Sequence, residues 1–191
     1  MNKYCLDLSI PAKHPLQDAS VLNQTGNDPE IWFAEADNIN AEFAQWLDSL
    51  GLVMTYPPLI FYTPPAGQCG IHIDGFGLTD RACMNFIVQG VGSLMHWYSL
   101  NPTEEVTEQV ATQADTPYTL YQPEQVTHAH SQPVRWPSLV QTGVPHNITN
   151  HTKEPRWCIS CDISRKESPE TGLTWEEAIT IFKNYDNSNS N

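Results

Sequence analysis

His72-Ile-Asp74 places an imidazole and a carboxylate on the same side of an extended chain, because residues i and i+2 of a strand project to one face. Far downstream, His146 can supply a third ligand. Two imidazoles and one carboxylate on one face of an octahedral Fe(II) leave three positions open, which is what activation of O2 beside a chelating co-substrate requires. With 7 His in 191 residues, an H-x-D arises by chance about 0.4 times, so the pair needs company. It has company in Arg156, ten residues after His146, a distance that carries the chain through a turn into the next strand and aims a guanidinium into the same cavity. In a dry pocket a guanidinium pairs bidentately with a carboxylate, so Arg156 suits the far end of a dicarboxylic co-substrate. Tyr62, ten residues before His72 and of the same parity, can add a phenolic hydrogen bond to that carboxylate.

Residues so far apart converge only on a rigid scaffold, and the chain between 59 and 163 reads as one. Short runs rich in aromatic and β-branched residues, punctuated by Pro and Gly, predict strands at 59–63, 82–88, 93–99, 119–122, 138–142 and 156–163. In the last of these, alternation sends Arg156, Cys158, Ser160 and Asp162 to one face and Trp157, Ile159, Cys161 and Ile163 to the other. Gly90-Val-Gly92 can turn the chain between two antiparallel strands. Helices flank this region. Over 39–51, Ile39, Phe43, Trp46, Leu47 and Leu50 share a helical face that stops at Gly51. Over 174–185, Thr174-Trp-Glu-Glu177 has the capping-box form. The polar, Pro-punctuated segment 101–137 is read as a lid or insertion. A length of 191 residues suits one domain, 1–191, mainly β, an antiparallel sandwich or barrel with flanking helices.

The motif resembles that of the Fe(II)- and 2-oxoglutarate-dependent dioxygenases: H-x-D, a long gap, a second His, then Arg or Lys about ten residues on. LIFYTPPAGQCGIHIDG is similar to the prolyl-hydroxylase branch, and WPSLVQTGVPHNITNHTKEPRWCISCDI to the aspartyl/asparaginyl β-hydroxylase-like branch. The resemblance implies a double-stranded β-helix (a jelly-roll, cupin-like core), Fe(II) on His72, Asp74 and His146, and 2-oxoglutarate held by Arg156 with help from Tyr62. It further implies O2 as co-substrate, and hydroxylation of an amino acid, peptidyl side chain or small metabolite with release of succinate and CO2. Asn85 shares a face with Cys83 and Ile87 in the strand after H-x-D and can hydrogen-bond the keto acid. Asp74 departs from the aspartyl-hydroxylase pattern, which typically lacks the carboxylate ligand, so substrate identity does not carry over.

Other residues compete for attention. His128-Ala-His130 offers an alternative cupin-type triad, His128, His130 and His146, although no Glu follows at ligand spacing. His96, flanked on its face by Leu94 and Tyr98, reads as a core histidine or one that supports a ligand from behind. Arg135 and Trp136 read as a surface Arg over an indole, and Cys158 and Cys161 as buried thiols. A non-catalytic binding module on the same barrel is a third reading. The net charge of −13 and the absence of a basic patch disfavour nucleic acid and anionic membranes as partners. Asp162 stands where nucleic-acid demethylases resemble Arg-x5-Arg. Five cysteines without zinc spacing, and no apolar run of signal-peptide length near the start, lead us to expect a cytoplasmic protein with reduced thiols.

Overall fold

The computed structural model describes residues 3–12, 14–23, 26–75, 79–102, 108–112 and 114–187. Its strands are β1 (Cys5–Asp7), β2 (Glu30–Phe33), β3 (Leu52–Met54), β4 (Leu59–Thr63), β5 (Ile71–Asp74), β6 (Ala82–Gln89) and β7 (Leu94–Leu100). They continue as β8 (Glu108–Ala111), β9 (Pro117–Tyr121), β10 (Val126–Pro133), β11 (Ser138–Gln141), β12 (His146–Thr149), β13 (Arg156–Arg165) and β14 (Ser168–Gly172). Two helices, α1 (Ala41–Ser49) and α2 (Trp175–Phe182), flank them.

The strands pair antiparallel in two sheets. The first runs β1-β11-β6-β13-β4-β2, with β3 and β14 also on β13; the second runs β10-β7-β12-β5-β9-β8. From β4 to β7 the chain alternates between sheets, and from β10 through β11 and β12 to β13 it alternates again. The two windings interleave, with β13 between β4 and β6 and β12 between β5 and β7, which is the double-stranded β-helix. Among the described residues no helix is long and apolar enough to cross a membrane.

Alternation along β13 decides which core each residue enters. Trp157, Ile159, Cys161 and Ile163 join Phe43, Trp46 and Leu47 of α1 and Ala178 and Phe182 of α2 in a core beneath the helices. On the opposite face, Cys158 packs with Cys83, Ile87 and Val140 of the first sheet and Met95 and Trp97 of the second, filling the space between sheets. Each large apolar side chain so buried contributes about 1.5–3 kcal/mol. Asn40 caps α1 by accepting from the Glu42 N–H, and Thr174 and Glu177 form the predicted capping box of α2.

Two expectations change. Gly90-Val-Gly92 does not close a hairpin within one sheet: β6 pairs with β11 and β13 while β7 pairs with β10 and β12, so the turn crosses between layers. Segment 101–137, read as a lid or insertion, carries β8, β9 and β10, half of the second sheet. Its polarity misleads because an antiparallel sheet with one face in water needs apolar residues on the other face only. Residues 103–107 and 113 of that segment lie outside the described residues.

Candidate metal centre

β5 and β12 meet at a single register pair, His72 opposite His146. Alternation brings Asp74 to the same face, and the two imidazoles and the carboxylate each offer a ligand atom within 4.8 Å of the others. No second cluster of three His, Cys, Asp or Glu ligands occurs among the described residues. His72 Nε2 lies 3.7 Å from Asp74 Oδ1, and the two rings are 4.4 Å apart at their centroids. The Nδ1 of His72 lies 2.9 Å from the Gly70 carbonyl, and that of His146 2.9 Å from the Val144 carbonyl. A carbonyl only accepts, so both rings carry an N–H at Nδ1, and Nε2 is the nitrogen that would ligate. This is the tautomer and support that ligating histidines adopt.

The electrostatics also suit a cation. Burial and the charge of His72 push His146 down to about 4, so it is neutral at physiological pH, the form that ligates. Burial opposes a proton on His72, but its hydrogen bond to Cys69 and the negative charges of Cys69 and Asp74 outweigh that and push it up to about 9. The negative charge that holds this proton is what a divalent ion would answer. Two nitrogens and one carboxylate oxygen fit a borderline divalent metal, with ligand positions left for other molecules.

Arg156 opens β13 and is 3% exposed. It shares the inner face with Cys158, whose thiol is its hydrogen-bonding neighbour; no described carboxylate lies within 4.0 Å of its guanidinium. Burial pushes the Cys158 thiol up, Arg156 pulls it down and the charge of Asp74 raises it again, so one thiol feels both the arginine and the metal-side carboxylate. Asn85 lies on the same face at the register of Ser160. It is 7% exposed, with a side-chain oxygen that finds no hydrogen-bond partner.

Tyr62 belongs elsewhere. It stands opposite Trp157, on the face of β4 turned to the helices, packs on that indole at 4.9 Å and donates its hydroxyl to the Gly26 carbonyl at 2.8 Å. Parity with His72 across a turn does not survive the change of sheet. Opposite Arg156 is Thr63, 4% exposed, which sequence reasoning missed. Cys69 and Tyr118 were missed too. Cys69 hydrogen-bonds His72, and its place three residues before His72 was the available signal. Tyr118 meets His72 edge-on at 5.8 Å from the strand hidden in the polar segment.

The alternative triad is not assembled. A bulge at Ala129 puts His128 opposite Tyr98 and His130 opposite Trp97, which are consecutive residues, so the two histidines take opposite faces of the sheet. His130 packs against both Tyr4 and Trp97, which stack on each other, on the side of His146; His128 is exposed on the far side. His96 is on that far side as well, with its two ring nitrogens on Ser131 and Thr149, so it neither joins the core nor supports a ligand. Trp136 packs tilted against His14 and edge-to-face with Phe86, while Arg135 reaches toward Asp7 at 4.0 Å.

No family model and no curated protein matches the chain. Among solved structures it is similar to oxalate decarboxylase of Bacillus subtilis, with 11% identity over 76% of this chain and 28% of that one and a TM-score of 0.35. It is similar also to the formate complex of oxalate decarboxylase from Lactobacillus farciminis, with 9% identity over 82% and 34% and a TM-score of 0.35. An uncharacterized conserved protein with a double-stranded β-helix domain from Klebsiella pneumoniae matches at 13% identity over 58% and 67%, TM-score 0.28. The chain spans about a third or less of the length of the two decarboxylases, and at such identities the likeness is one of fold alone.

Proposed function

We propose that the protein is an Fe(II)- and 2-oxoglutarate-dependent dioxygenase that hydroxylates a C–H bond of an amino acid, peptidyl side chain or small metabolite. The observation that carries this reading is Arg156: a cation buried between the sheets, without a carboxylate partner among the described residues, beside a thiol that also feels Asp74. An unmatched buried charge is costly, and an anionic ligand that arrives with its own carboxylate removes that cost. Fe(II), when bound, supplies the redox chemistry with O2 that side chains lack.

The chain's own share is placement. His72, His146 and Asp74 hold the metal from one side, with Gly70 and Val144 fixing the two imidazoles. Arg156 grips the distal carboxylate of the keto acid, and Thr63 can add a hydroxyl. Asn85 presents an amide that, turned over, offers an N–H. Ile87, Met95, Trp97 and Val140 keep water from the inter-sheet space. The net charge of −13 keeps small or peptidyl substrates ahead of nucleic acid.

The test is calorimetric titration of 2-oxoglutarate into Mn(II)-loaded protein, followed by succinate release with Fe(II) and ascorbate. Binding that weakens roughly 10–100-fold in Arg156→Gln, the loss of a charge-assisted bidentate contact, supports the reading. No binding, or equal binding by the variant, overturns it. Binding without succinate release under any substrate screen leaves a non-catalytic module instead.

A further inference from the structure

The outer face of the second sheet, away from the metal centre, carries three histidines joined by two hydroxyls. His128 Nε2 lies 2.6 Å from Ser131 Oγ, and the same oxygen lies 2.6 Å from His96 Nδ1. On its other edge, His96 Nε2 lies 2.8 Å from Thr149 Oγ1, which lies 2.9 Å from His151 Nε2. The chain of contacts therefore runs His128, Ser131, His96, Thr149, His151, and it ties β10 to β7, to β12 and to the segment that follows β12.

Proton counting shows what such a chain can hold. Four contacts need four hydrogens. With all three rings neutral, the two hydroxyls give one each, His96 gives one, and one outer ring gives the fourth through its Nε2–H, so every contact is made in one direction along the chain. One added proton also fits: His96 then donates from both nitrogens, and each hydroxyl passes its own hydrogen outward to His128 and His151. The extra proton need not stay on one ring, because the hydroxyls can relay it. A second proton fits as well, with both outer rings charged and donating to their hydroxyls while His96 stays neutral; a third places cations in neighbouring rings, and the centroids of His96 and His128 are 6.1 Å apart.

Among the described residues no opposite charge acts on His96 to offset that repulsion. His128 on β10 and His151 after β12 are the titratable groups that bear on His96, and each opposes its protonation, as does burial. The remaining neighbours on this face are neutral: Ser131 on β10, Tyr98 on β7, and Asn147 and Thr149 on β12, with Gln68 bridging to Thr149. No carboxylate acts on His96 among the described residues, in a chain with 22 Asp and Glu.

We propose that His128, His96 and His151 act as one proton-binding unit, an acid-sensitive latch that fastens three segments of the second sheet while its central ring, His96, stays neutral. Above the ordinary histidine range the latch is closed by neutral hydrogen bonds. As pH falls below it, a proton on His96 sets that ring between two like charges and weakens the contacts on both its edges.

Histidine Cε1–H NMR titration of the full chain at low ionic strength tests this. Because a unit charge about 6 Å away in a water-like medium shifts a neighbour by roughly half a unit, His128→Gln and His151→Gln should each raise the His96 midpoint by about that much. A merely structural role for the two outer rings would not move it. His96 midpoints unchanged in both variants, or all three rings titrating independently at ordinary values in the wild type, would overturn the proposal. Amide hydrogen exchange gives a second readout on the same samples: exchange in β10 and around residues 149–152 should quicken between about pH 7.5 and 5 in the wild type, and less so in Ser131→Ala, where one bridge is already absent. Equal acid response in that variant also counts against the latch.

Discussion

His72 and His146 face each other across β5 and β12 with ring centroids 4.4 Å apart, and each places its Nδ1 2.9 Å from the carbonyl two residues before it. Local geometry produces this symmetry: each ring is held by the backbone leading into its own strand, so both Nε2 atoms point to one place without help from distant side chains. Replacing His146 or Asp74 with Ala should lower Mn(II) or Co(II) affinity at least as much as the ~10–100-fold known for loss of a supporting partner. The circular dichroism spectrum should stay that of the wild type. Metal affinity unaffected by either change would mean that the cluster is not a metal centre.

Arg156 should trade stability for binding. Arg156→Met keeps the aliphatic stem and removes a buried charge that no described carboxylate neutralises, so the variant is expected to gain about 1–3 kcal/mol in urea unfolding while losing 2-oxoglutarate binding. A destabilised Met variant would show that the guanidinium is fully satisfied by the protein itself.

Gly90 sets the position of that arginine. It has φ 73°, and a Cβ there would stand 2.7 Å from the Arg156 Cα. Gly90→Ala therefore meets both backbone strain and a backbone clash, about 1–3 kcal/mol of destabilisation. Because the clash falls on Arg156, the keto acid should be bound more weakly while Mn(II) affinity is retained. Thermal unfolding and the two titrations read these effects separately.

His14 gives stability a slope against pH. Its Nδ1 lies 3.0 Å from both the N–H and the carbonyl of Leu16, its ring packs on Trp136, and its Nε2 is buried without a partner. Burial pushes its pKa below 6.5 although the backbone contact at Leu16 works the other way. As pH falls through about 6.5 the unfolded chain takes up a proton that the folded chain resists, so stability is lost with acid until the folded value is reached. His14→Gln, neutral throughout, should lose less stability between about pH 7.5 and 5.5 than the wild type. Chemical denaturation at the two pH values decides it, and an equal loss would remove His14 as a cause.

Much of this molecule is written locally. His72, Asp74 and the faces of β13 follow from a two-residue period, and α1 and α2 from helical spacing with Asn40, Gly51 and the Thr174–Glu177 box at their ends. Those signals are short-range, so the residues that carry them lie within a few positions of one another. Tertiary structure alone decided which sheet each strand joins. That choice turned Tyr62 toward the helices, put Thr63 opposite Arg156, and made three strands of the polar segment 101–137. It also let a bulge at Ala129 part His128 from His130 and bring His128 to His96 across Ser131. Sheet membership is fixed by pairings between strands tens of residues apart, and a single inserted residue reverses every face after it. A local pattern holds neither piece of information.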